Sequence, residues 1–226
     1  MQRKALFNMD KKEVFDTLNE IRNLMEKSSK ILSLSGMSAI FVGIYACMAT
    51  VGMYYILGLE GRLSWLFIGL PPLNLSPSSQ LRLLIISGAV LIVLCLATAF
   101  LFARRKAKRN NQRFEFDLTA RRLLWHFFVP LVVGGVLCLA LIYRQQYELI
   151  SAIMLIFYGI ALVNISNYTY SNTRYLGYAE LLLGLTDSFV EGHTLLYWTI
   201  GFGIFHIIYG ILFYLKYDRK KKTLAR

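Results

Sequence analysis

Acidic residues are scarce in this chain: 13 Asp and Glu stand against 25 Lys and Arg, for a formal net charge of +12. Such an imbalance would ordinarily point to nucleic acid. Here, however, the basic residues cap hydrophobic runs and do not interleave with aromatics along a groove, so no nucleic-acid partner is expected. Cysteine is also rare. Cys47, Cys95 and Cys138 fall in three separate apolar runs with no CxxC spacing and no neighbouring histidine. Neither a disulfide nor a metal site follows from them, and each reads as a small buried hydrophobe. Three histidines and the absence of any HExxH, HxxxH, GxSxG or paired catalytic aspartates leave no catalytic residue and no cofactor to assign.

What the chain has in abundance is apolar sequence. Hydrophobic residues make up 56% of 226 positions, which is too many for an ordinary soluble domain. They gather in six runs, over residues 31–57, 83–102, 123–143, 149–165, 175–190 and 195–214. About 20 apolar residues cross a bilayer as a helix, so the pattern predicts an all-α integral membrane protein with six transmembrane helices. Basic residues number 7 before the first run, 8 between the second and third, 1 between the fourth and fifth, and 6 at the C-terminal end. These are 22 of the 25, and the other set of breaks holds only Arg62, Arg82 and Arg144. By the positive-inside rule both termini are expected in the cytoplasm. The polar first 30 residues are not expected to be a cleavable leader. Short loops suggest a bacterial cytoplasmic (inner) membrane.

Three parts follow from this reading: an interfacial or cytoplasmic segment 1–30, a transmembrane domain 31–215 and a basic cytoplasmic tail 216–226. Asp10 and Glu13 suit a helix start, and Val14, Leu18, Ile21 and Met25 recur at helical spacing after them. An amphipathic helix is therefore expected there, lying on the membrane or docking a cytoplasmic protein or a second copy of the chain. In the first run Ser35, Ala39, Gly43 and Cys47 form a stripe of small residues that lets another helix approach. Ser76 and Pro77 read as the start of the second helix.

The fifth run is the anomaly, because it holds Glu180 and Asp187. A charged side chain at the centre of a span costs about 2.5–3.5 kcal/mol on insertion scales. Gly177, Glu180, Gly184, Asp187 and Glu191 follow one another at three- and four-residue steps and so share a helix face. The sixth run repeats the spacing with Thr199, Gly203, His206 and Gly210, and only Glu191-Gly192-His193 separates the two runs. A contact between His206 and Glu180 or Asp187 is expected, with Tyr178 and Tyr209 as candidate members of the polar interface and His126 of the third run at a similar depth. One reading makes the cluster a hydrogen-bonded group that sets helix register. Another makes it a site for a small solute, a cation or a proton relay in a small transporter or channel-like protein. A membrane-embedded enzyme lacks supporting motifs. The alternative function is a non-catalytic partner or regulatory subunit, acting through the N-terminal helix and the basic loop between runs two and three.

Overall fold

The computed structural model describes residues 16, 36–58, 75–109, 118–169 and 172–218. Apart from Asp16, the expected N-terminal amphipathic helix lies outside the described residues, as does nearly all of the basic tail. Helix α1 spans Gly36–Leu57 and carries no charge. Helix α2, Pro77–Arg109, starts with proline at its first position, where the missing N–H would have no helical partner. The Ser76 carbonyl accepts from the backbone N–H groups of Ser79 and Gln80, while its hydroxyl donates to Ser79 Oγ at 3.0 Å. Helix α3 is Leu118–Tyr143, α4 is Leu149–Ile165 and α5 is Asn172–Asp187. The last rod, α6, joins Thr194–Trp198, a π-helical segment Thr199–Phe205, His206–Phe213 and a second π-helical segment Tyr214–Asp218.

A tight turn links α3 to α4. The Gln146 N–H donates to the Leu141 carbonyl and the Gln145 N–H to the Ile142 carbonyl, with Gln145 at φ 59°. This is a Schellman motif in which glutamine takes the left-handed position usually given to glycine, at a cost of about 1–2 kcal/mol. Each helix runs antiparallel to the next. The closest seams are α4 with α5 and α1 with α6, and α3 leans on α4 as α2 does on α1.

Small residues make both close seams. A Cβ added at Gly43 would lie 2.6 Å from the Gly203 carbonyl oxygen, and one added at Gly159 would lie 2.8 Å from that of Gly177. The backbones therefore touch at these points, a packing mode suited to helices in lipid. Thr50 and Thr199 continue the α1–α6 seam with a hydroxyl–hydroxyl bond of 2.8 Å. On the other side Leu162, Ile165 and Leu176 form a buried cluster covered by Leu123 and Phe127 of α3 and Phe205 and Tyr209 of α6. The outer faces of α2 and α3 stay apolar, with Val93 67% and Trp125 71% exposed, as lipid-facing surfaces require.

The expectation of six transmembrane helices does not hold. Six helical rods are present among the described residues, but four are long and apolar enough to cross a membrane: Gly36–Leu57, Pro77–Arg105, Ala120–Tyr143 and Thr194–Lys216. α4 is apolar but has 17 residues, which is about 25 Å at 1.5 Å per residue, against a hydrocarbon core of ~30 Å. α5 has 16 residues and includes Asn172, Arg174, Glu180 and Asp187. Counting apolar runs missed where the helix begins and ends and how much polarity it carries. The placement of both termini in the cytoplasm rests on basic residues counted over the breaks between six crossings, and that assignment of breaks falls with the six-span count. The chain is a multi-pass α-helical membrane protein in which α4 and α5 form a short hairpin held between α3 and α6.

Candidate functional site

The face of α5 formed by Thr173, Gly177, Glu180, Gly184 and Asp187 is buried. Two glycines on it admit α4, and Glu180 points at α6. A Cβ at Gly201 would meet Glu180 Oε2 at 2.5 Å, so the carboxylate occupies the space a side chain would otherwise fill. Leu155 and Leu183 complete the walls there. Glu180 is 0% exposed, and among the described residues neither of its carboxylate oxygens has a hydrogen-bond partner.

The first π-helical segment of α6 determines what faces Glu180. Widening the helix to i→i+5 bonding shifts the register of every residue that follows. His206 Nδ1 lies 3.1 Å from the carbonyl oxygen of Gly201, five residues earlier. Because a carbonyl only accepts, Nδ1 carries the proton, and in the neutral ring Nε2 is then the acceptor. Tyr158 of α4 meets that demand by donating its O–H to Nε2 at 2.7 Å. Glu180 Oε1 lies 3.6 Å from His206 Nδ1, close enough for electrostatic contact but beyond a hydrogen bond. Phe202 stacks on the His206 ring at 6.2 Å between centroids, and Trp198 lies against Phe202. The result is a carboxylate, an imidazole and a phenol in sequence, walled by aromatic and aliphatic groups.

The other nominated residues are dispersed. Asp187 is buried two turns from Glu180, beside Ser151 in the first turn of α4. Ser151 Oγ faces the Asp187 carboxylate there, and among the described residues no other side chain is bonded to either group. The Tyr209 hydroxyl meets Thr173 Oγ1 at 3.0 Å, two turns to the other side of Glu180. Tyr178 is 47% exposed and faces away from the cluster. His126 is exposed and stacks on Tyr168 in the turn after α4, with ring centroids 5.4 Å apart. Glu191 is exposed beyond the end of α5. The stripe on α6 divides: Thr199, Gly203 and Gly210 pack on α1, whereas His206 turns to α4 and α5.

Sequence reasoning left out Tyr158, Ser151, Thr173 and Gly201. Tyr158 had a signal, since a tyrosine deep in an apolar run needs a partner for its hydroxyl. The π-helical register has no evident signature in the sequence. Among the described residues no group of three or more His, Cys, Asp and Glu is placed to hold a metal ion. Compared with known proteins, the chain matches no family model, no curated protein and no solved structure.

Proposed function

We propose that this protein is a small transporter or channel-like protein whose polar site, formed by Glu180, His206 and Tyr158 between α4, α5 and α6, binds or relays a small solute, a cation or a proton. One observation carries the reading: Glu180 is fully enclosed and makes no hydrogen bond among the described residues. A polar group that served only to hold helices together would gain its stability from such a bond. Glu180 instead stands ready for a species not built into the fold, beside a histidine already oriented by two partners. Charged and ionisable residues inside membrane helices mark ion pathways and proton relays by default. The π-helical segment supports the same reading, because π-bulges concentrate at functional sites. The membrane in this reading is a bacterial cytoplasmic membrane, favoured by the short connections.

Reconstitution into liposomes tests it with three probes: protons, read by an internal pH dye, and radioactive sodium and potassium. At least one should enter faster than in empty liposomes, and Glu180→Gln and His206→Ala should slow it. Equal entry with and without protein for all three, or rates unmoved by both substitutions, would count against transport.

A further inference from the structure

We infer that the end of the bundle where α3 and α5 begin holds a site for the phosphate of an anionic phospholipid, gripped by Arg174 and Arg122. The inference is independent of the transport reading. The short α4–α5 hairpin makes room for the ligand. α3 has 26 residues and α4 has 17, so at 1.5 Å per residue α3 is longer by about 13 Å. The tight turn from α3 to α4 levels the two helices at the other end, and the difference falls here. Accordingly His126, well inside a helix that begins at Leu118, stacks on Tyr168 just past α4. α6 also outreaches the hairpin, since Tyr209 meets Thr173 at the start of α5 and the rod continues to Asp218. The described part of the α4–α5 turn is thus the floor of a step between two taller helices.

Arg174 is fixed on that floor. Its Nε donates to Ser166 Oγ at 3.2 Å and its Nη2 to Asn167 Oδ1 at 3.0 Å. Ser166 is itself buried and donates to the Val163 carbonyl at 2.6 Å. These bonds occupy the side edge of the guanidinium. The end edge, Nη1 and Nη2, is left as a pair of parallel donors of the kind that grips a phosphate. Arg122 stands one turn above His126 on the same face of α3, over the His126–Tyr168 stack. Both arginines are exposed, and no described carboxylate pairs with either. Threading a membrane requires positive charge but not a guanidinium held by two side chains. Arg174 also lies in the first turn of α5, and Arg121 in that of α3, where the helix dipole disfavours a cation and no acid is present. A bound anion reconciles both charges with both dipoles.

Depth assigns the anion to a lipid. Arg122 already lies within the candidate span Ala120–Tyr143, and the floor of the step is deeper, level with His126. Beside Arg174 the outward face of α5 is apolar: Tyr175 is 71% exposed, and Tyr178 and Leu182 continue the same side. Acyl chains have a wall there while the phosphate meets the arginines. A headgroup of net negative charge suits the site better than a zwitterionic one, whose own cation would stand among Arg121, Arg122 and Arg174.

Native mass spectrometry of the delipidated full chain in detergent tests this, titrated with phosphatidylglycerol and, in parallel, phosphatidylcholine of the same acyl chains. The first phosphatidylglycerol should bind about tenfold more tightly than the first phosphatidylcholine. Arg174→Gln and Arg122→Gln should each weaken it about fivefold, the equivalent of about 1 kcal/mol per arginine at a membrane surface. Asn167→Ala removes no charge but frees Arg174 from its clamp, and should weaken binding about twofold or more. Arg105→Gln, near the end of α2 and away from the step, removes a full charge and should change it less. All variants are compared as protein of native elution profile and helix content. Equal affinity for the two lipids would overturn the site. Equal losses in Arg105→Gln and Arg174→Gln, with Asn167→Ala unchanged, would also overturn it and leave a diffuse basic face. Displacement of the lipid by equimolar glycerol phosphate would overturn the lipid assignment and make the ligand a soluble phosphate.

Discussion

Replacing Glu180 by methionine should make the protein more stable while removing its flux. Methionine is unbranched, close to glutamate in length and adaptable in packing, so it can follow the same path between Leu155, Leu183 and Gly201. It removes two buried acceptor oxygens that have no partner, and leaving such a group unsatisfied costs about 1–3 kcal/mol. Against this stands the Glu180–His206 contact at 3.6 Å, which is not a hydrogen bond and offsets only part of the gain. The net stabilisation is about 1–2 kcal/mol, in line with apolar replacement of buried ionic groups. In a protein of this size that is a rise of about 2–8 °C in melting temperature. Thermal unfolding in detergent, followed by circular dichroism, reads it. Leu155→Ala is the control at the same spot: its side chain is fully buried, and losing it should cost about 2–5 kcal/mol. A Glu180→Met variant that melts lower than the wild type, by the same margin as His206→Ala, would refute the reasoning and make the pair a structural clasp.

Gly43→Ala should destabilise by about 1–3 kcal/mol, because its Cβ would press on the Gly203 backbone. Gly52→Ala in the same helix has open space around it and should gain about 0.5–1 kcal/mol, so comparing their unfolding midpoints isolates the seam. Gln145→Gly should stabilise by about 1 kcal/mol by relieving the positive φ of the α3–α4 turn, read as a higher unfolding midpoint. Tyr158→Phe leaves His206 Nε2 buried without its donor and should cost about 1–3 kcal/mol. The same variant should slow proton entry in liposomes, which a loss of packing alone would not predict.

The parts of this structure that sequence made legible are those set by long, uncharged runs. α1, α2, α3 and α6 follow from apolar length alone, and Pro77 marks the start of α2 because only a first helical position suits it. The inward face of α5 was also legible, since Gly177, Glu180, Gly184 and Asp187 recur at helical spacing and all four are buried. The span count was not, because the fourth and fifth runs resemble spans until their helices end at 17 and 16 residues. Regular 3.6-residue periodicity also put Thr199, Gly203, His206 and Gly210 on one face. The π-helical segment breaks that register, sending the small residues to α1 and the histidine to Glu180. Tyr178 and Tyr209 share a residue type yet differ in fate, which depends on the neighbouring helix each one faces.

Infrared difference spectroscopy of the reconstituted protein across a pH jump tests the central claim most directly, because a carboxylic acid in an apolar site has its own carbonyl stretching band. The account predicts such a band that appears and disappears with pH, is absent in Glu180→Gln and shifts in His206→Ala and Tyr158→Phe. A spectrum in which no band assignable to Glu180 responds to pH would contradict it, since a carboxyl that never exchanges its proton cannot belong to a relay.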